Sequence, residues 1–206
     1  MTNEASVATV FRDGGDYRPE HVELLRAQIP GLVVLGLDVE IPPHQNWPGW
    51  WAKMNLFDPA RPGDILYFDL DTIITGPIEA YRSLGRTHVL RDFYAPKQIG
   101  SGVLYIAEHD KPRIWDAWIS RPEHWMATYR GDQEFLEQHL GQAARWQDEF
   151  PNEILSYKKH ITAYDRFYEG GHDPLDANVI CFHGYPRPWD AKDPWIQNIY
   201  SRCVST

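Results

Sequence analysis

The chain has 206 residues, 20 Lys+Arg against 29 Asp+Glu, and a formal charge of -9. That length fits one domain with its own core, and the acidic balance argues against nucleic acid or an anionic membrane as the main partner. Two cysteines, Cys181 and Cys203, exclude a disulfide-built scaffold, and no apolar run is long enough to span a bilayer.

The first eleven residues lack a basic stretch followed by an apolar one, so no export signal is expected there, and the chain reads as cytoplasmic. Residues 6–12 read as a strand ending at the turn Asp13-Gly14-Gly15-Asp16. Pro19 opens a helix whose Val22, Leu24, Leu25 and Ile29 recur near every 3.6 residues, and Pro30-Gly31 closes it. Leu32-Val33-Val34-Leu35 is a β-branched run suited to a sheet covered on both faces. This β-α-β opening favours an α/β domain with a largely parallel sheet. Trp50, Trp51, Met54 and Phe57 then fall at helical spacing around Lys53. Residues 64–68 give the strongest strand signal, running straight into Asp69-Leu70-Asp71-Thr72. Strands are expected at 88–91, 102–107 and 178–182, helices at 113–119 and 133–139, and a Gly- and Pro-rich tail thereafter. No repeat or linker divides the chain, which reads as a single domain over residues 1–206.

Nine Trp, eleven Tyr and eight Phe supply core and stacking surface, and they permit a pocket for a sugar or base without requiring one.

Asp69 and Asp71 carry the most information. Ile65-Leu66-Tyr67-Phe68 implies a strand buried on both faces, so the acids stand at its carboxyl end, where open α/β sheets place ligands. If extended geometry continues through Leu70, the two carboxylates point to one side. Like charges that close call for a shared hard cation, Mn²⁺ or Mg²⁺, with the remaining ligands drawn from phosphate and water. The plain alternative is a turn-capping Asp69 and a solvated Asp71. Further along, His183 could give an imidazole nitrogen to that cation, Gly184 lets backbone approach a phosphate, and Arg187 offers a planar fork to phosphate oxygens. The same stretch also reads as a packed histidine in a proline-rich tail.

Asp69-Leu70-Asp71-Thr72 resembles the signature of haloacid dehalogenase-like phosphatases, with the threonine one position early and the motif not on the first strand. Four motifs in order carry a broader resemblance: Leu66-Tyr67-Phe68-Asp69-Leu70-Asp71-Thr72, then Ser101-Gly102-Val103-Leu104, then Asp132-Gln133, then His183-Gly184-Tyr185-Pro186-Arg187-Pro188-Trp189. In these the chain resembles small nucleotide-sugar-dependent glycosyltransferases of the GT-A type, in the retaining family of glycogenin-like and lipopolysaccharide galactosyl- and glucosyltransferases. The terminal motif is shortened here, Arg187 stands where the family has lysine, and Ser101 replaces an asparagine.

The resemblance implies a single domain with a mixed, mainly parallel sheet flanked by helices. It implies transfer from a nucleotide-sugar donor to a saccharide or other hydroxyl-bearing acceptor, with retention. The metal would sit on Asp69, Asp71 and His183. The donor would meet Phe11, Arg12, Tyr17, Lys53, Asp92, Ser101, Gly184 and Arg187, and catalysis would involve Asp132, Gln133 and Arg187. Three alternatives stay open: Lys53 laid along Trp50 and Trp51, Asp132 as a helix cap, and a nucleotide-sugar-binding protein without turnover. Trp146-Gln147-Asp148-Glu149-Phe150-Pro151-Asn152 followed by residues 154–158 resembles a region of small bacterial relatives, which would put Ser156, Tyr157 and Lys158 near donor or acceptor; a strand or helix turning under the active site explains the same composition.

Overall fold

A computed structural model describes residues 4–13, 15–163, 166 and 168–204, with the side chains of 202–204 left out. Gly14 and the Cys203 side chain, both part of the sequence reading, lie outside the described residues.

The opening β-α-β unit forms as expected. Strand β1 (Ser6–Val10) leads to helix α1 (Pro19–Arg26) and returns as β2 (Val33–Leu35), which runs parallel to β1. Residues Gly49–Phe57 form a 3₁₀ helix rather than an α-helix. At three residues per turn, Trp51, Met54 and Phe57 stack on one buried face, and Trp50 and Lys53 share the adjacent one. Strand β3 (Ile65–Phe68) pairs parallel with β1 and is buried throughout. Ile65 and Tyr67 join the cluster under the 3₁₀ helix, and Leu66 and Phe68 join the cluster under α1. That division explains its unbroken apolar run: the strand is covered on both faces.

The chain then leaves this sheet. Strand β4 (Thr72–Ile74) belongs to a second one. Strands β5 (His88–Arg91) and β6 (Ile99–Ile106) return to the first, followed by helices α2 (Lys111–Ser120), α3 (Pro122–Thr128) and α4 (Asp132–Leu140). The short β7 (Ala144–Arg145), helix α5 (Trp146–Glu149), β8 (Ile154–Ser156), β9 (Val179–Cys181) and helix α6 (Pro194–Val204) complete the order. The large sheet runs β2-β1-β3-β6-β5-β7, with β6 antiparallel to both neighbours and the other pairings parallel. It is a mixed, mainly parallel sheet flanked by helices. The small sheet, β4-β9-β8, packs its own cluster of Ile73, Leu155, Ile180, Phe182 and Ile196 against α6. The tail expected after residue 182 therefore contains an eleven-residue helix.

Much of the tryptophan is structural: the Trp51 and Trp118 rings stack 5.1 Å apart, and Trp47 meets Trp118 edge-on. Among the described residues no helix is long and apolar enough to cross a membrane.

Candidate active site

The acid pair lies at the junction of the two sheets. The Asp69 amide donates to Gly102 O (2.9 Å), which keeps it on the large sheet, and Asp71 O accepts from the Phe182 amide (3.1 Å), beyond the end of β9. Extended geometry does not run through Leu70, as the sequence reading supposed; residues 70 and 71 form a turn. Both acids nevertheless line one cleft of about 670 Å³ at the carboxyl end of β3.

Lys53 rises through the floor of that cleft. Its side chain is 6% exposed, and its ammonium lies 3.2 Å from Asp69 Oδ1 and 2.9 Å from Asp132 Oδ2. It also donates to Ser101 O and Oγ, both at 3.1 Å, and Ser101 Oγ donates to Asp132 Oδ2 at 2.9 Å. Burial disfavours the ammonium, but Asp132 and Asp69 outweigh it and push the Lys53 pKa above its ordinary value. Tyr67, two residues before Asp69 and on the same side of the strand, donates its hydroxyl to that carboxylate. Burial, opposed by Lys53 and reinforced by Asp71, lifts Asp69 to about 6. Its side chain is about a third open to the cleft (32%).

Arg187 approaches from the other wall. Its guanidinium pairs with Asp71, lies 3.6 Å from Asp16, and stands 5.0 Å over the Tyr17 ring. Tyr17 is pushed up by burial and by the Asp71 and Asp69 charges, so it stays a neutral phenol. The Gly184 amide faces Asp71 Oδ2 at 3.5 Å, with Gly184 at φ +96°, a conformation glycine adopts at little cost. His183 also has positive φ, and its Nε2 sits 2.5 Å from Ser156 Oγ. Lys158 donates to His183 O at 3.0 Å. Burial first, then Lys158, depresses His183 to about 4, so it is neutral near pH 7.

The remaining expected residues divide. Arg12 lines the cleft and donates to Asn46 O (3.2 Å) and Trp47 O. Gln133 lines it too and donates to Asp92 Oδ2 at 3.0 Å. Asp92 itself lines a separate cavity, and its Oδ1 accepts from the amides of Tyr94 and Ala95. It reaches the cleft through its hydrogen bond with Gln133 and its charge acts on His183. Phe11 is not among the residues lining the cleft; its side chain is buried in the core with Val7 and Phe68. Alternation from Val7 through Thr9 already placed Phe11 on that face. Tyr67, Asp16 and Trp50 are cleft residues that the sequence reading did not assign to the site. Trp50 stands at the mouth, 59% exposed, with its indole beside Gly131.

The donor types that suit Mn²⁺ or Mg²⁺ are present: two carboxylates and a neutral imidazole. Their atoms are committed elsewhere, with Asp69 on Lys53 and Tyr67, Asp71 on Arg187, and His183 Nε2 on Ser156. Among the described residues no group of three His, Cys, Asp or Glu side chains is placed to hold a metal ion. In this arrangement the residues do not fit the ion.

No protein-family model matches the chain, and no curated protein matches it by sequence. Solved structures do. The glycosyltransferase GlyE of Streptococcus pneumoniae TIGR4 in its apo form superposes with a TM-score of 0.61 at 14% identity, over 98% of this chain and 60% of that one. The galactosyltransferase LgtC, in complex with donor and acceptor sugar analogues, superposes with a TM-score of 0.55 at 14% identity, over 97% of this chain and 95% of that one. WbbM, a bifunctional glycosyltransferase, gives 0.53 at 10% identity, over 98% of this chain and 52% of that one. The chain therefore has the GT-A glycosyltransferase fold. It spans about 60% of the length of GlyE.

Proposed function

We propose that this protein transfers a sugar from a nucleotide-sugar donor to a hydroxyl-bearing acceptor such as a saccharide. The observation that carries this reading is the paired arrangement in the cleft: Lys53 bound to Asp69 and Asp132 on the floor, and Arg187 bound to Asp71 on the wall, at the carboxyl end of a GT-A sheet.

The donor's nucleotide would lie toward Arg12 and Tyr17, with its diphosphate near Gly184 and Arg187. As the bond from sugar C1 to the diphosphate oxygen breaks, its electron pair moves onto the diphosphate. Arg187 then faces more charge in the transition state than in the ground state, which lowers the barrier. The acceptor oxygen bonds to C1, and its proton passes to the departing phosphate oxygen. This retaining course suits the site because Asp132, the base an inverting enzyme would need, is buried and tied to Lys53 and Ser101. Gln133, held by Asp92, would orient a sugar hydroxyl. A phospho-aspartate route is disfavoured, because Asp69 is bound by Lys53 and by the Tyr67 hydroxyl.

Thermal melts against UDP, GDP, ADP and CDP, with and without Mn²⁺, test this directly. One of the four should raise the melting temperature of wild type and do so less in Arg187→Gln. A panel in which none shifts it would defeat the reading. Release of that nucleoside diphosphate from the matching nucleotide sugar then separates an enzyme from a binding protein.

A further inference from the structure

Two adjacent tryptophans on the 3₁₀ helix meet opposite fates. Trp51 is buried and stacks on Trp118, while Trp50 turns to the cleft mouth and is 59% exposed. An indole left in water forgoes the burial that makes tryptophan useful to a core. Among the described residues its ring stacks on no other ring and its N–H donates to no acceptor. One edge alone is held, beside Gly131, where a Cβ would stand 3.1 Å from Nε1. The ring is fixed in place, yet the fold makes no use of its face.

Its neighbours show which part of the cleft it serves. The segment 46–50 begins under Arg12, which donates to Asn46 O and Trp47 O, and ends at the indole beside Gly131, two residues before Gln133. Trp50 also stands one 3₁₀ turn ahead of Lys53 on the same face, over the floor that Lys53 forms with Ser101 and Asp132. The indole therefore borders the sugar end of the cleft. Building on the sugar-transfer reading of this cleft, on which the assignment rests, we propose that Trp50 seats the acceptor and that the acceptor is a pyranoside. Glucosides and galactosides present axial C–H bonds on one face of the ring, and these weakly positive hydrogens match the negative face of an indole. The unpaired indole N–H is a donor for a ring hydroxyl. A serine hydroxyl or a simple alcohol offers no ring to cover the indole.

The test is saturation-transfer NMR with methyl β-D-glucopyranoside, methyl β-D-galactopyranoside and lactose, and with glycerol as the ringless control. Wild type, Trp50→Ala, Trp50→Leu and Trp50→Phe are compared with and without UDP or GDP, each checked for a folded melt. At least one glycoside, and not glycerol, should bind wild type and Trp50→Phe, and bind about tenfold or more weakly to the alanine and leucine variants. No glycoside binding to wild type overturns the proposal, as does binding by Trp50→Ala or Trp50→Leu equal to wild type. The nucleotide-induced rise in melting temperature should persist in Trp50→Ala; its loss would mean that the indole holds the base, and also overturns it. The glycoside that binds should gain one sugar from the matching nucleotide sugar, and one that is bound but never extended while that donor is turned over defeats the acceptor role. If no nucleotide shifts the melt while glycoside binding depends on Trp50, the saccharide seat stands and the donor reading alone falls.

Discussion

Lys53 shows how much one side chain can settle. The sequence left it between two roles, laid along the neighbouring tryptophans or reaching the strand-end acids, and its ammonium lies on the acids. Removing one member of a buried charge pair typically costs about 3–5 kcal/mol, because the partner is left uncompensated. Lys53→Met should therefore lose stability in that range in urea unfolding. Adding Asp132→Asn should restore part of it, since the stranded charge is then gone. A Lys53→Met variant as stable as wild type would mean that the network contributes nothing to the fold. The same residues bear on turnover. Asp132→Asn should leave nucleoside diphosphate affinity close to wild type while slowing sugar transfer, because its contacts are to the Lys53 and Ser101 floor rather than to Arg187.

At the scale of elements, two glycines mark where backbone geometry is tight and where it is not. Gly36, just after β2, has φ +95°, and a Cβ there would stand 2.1 Å from Phe11 O, a backbone atom that cannot step aside. Gly36→Ala should cost more than about 2 kcal/mol and disturb the adjoining β1 turn that carries Arg12. Gly131→Ala would meet only the exposed Trp50 indole, at 3.1 Å, and should change stability by less than about 0.5 kcal/mol. Equal melting temperatures for the two variants would contradict this. Elements also show what local sequence could reveal. Strand β3 announced itself because four apolar residues in a row have few other uses, and the acids after it followed directly. Strands β4, β8 and β9 are three residues each, too short for any period to show, and the second sheet was legible only at β9 because it lies in the four-residue apolar run Val179-Ile180-Cys181-Phe182. Helix α6 was hidden by the proline-rich stretch before it. Lys53, Ser101 and Asp132 were each legible as chemistry, but their meeting spans 48 and 31 residues of chain and is a property of packing alone.

For the whole molecule, two buried histidines contribute to the response to acid, in the same direction as the depressed carboxylates Asp38, Glu134 and Glu149. His160 and His183 are both depressed to about 4, chiefly by burial, and both contact Ser156: His160 Nδ1 accepts its amide at 2.9 Å, and His183 Nε2 meets its hydroxyl. Unfolded histidines titrate near 6.5, so between 6.5 and 4 the unfolded chain binds more protons. Their contribution is complete above 6.5 and is lost as pH falls toward 4, by roughly 3 kcal/mol at most for each. Asp69, raised to about 6, slopes the other way and offsets part of this between its ordinary value and 6. Urea midpoints should therefore fall between pH 7 and pH 4, and His160→Gln should flatten the fall; a midpoint unchanged across that range would refute the assignment. Asp69 is stitched to one sheet and Asp71 to the other, across a turn of two residues. A ligand gripping both would act as a rivet through that seam. Hydrogen exchange in β8 and β9 should then slow in step with β3 once the cleft is filled, two foldons becoming one.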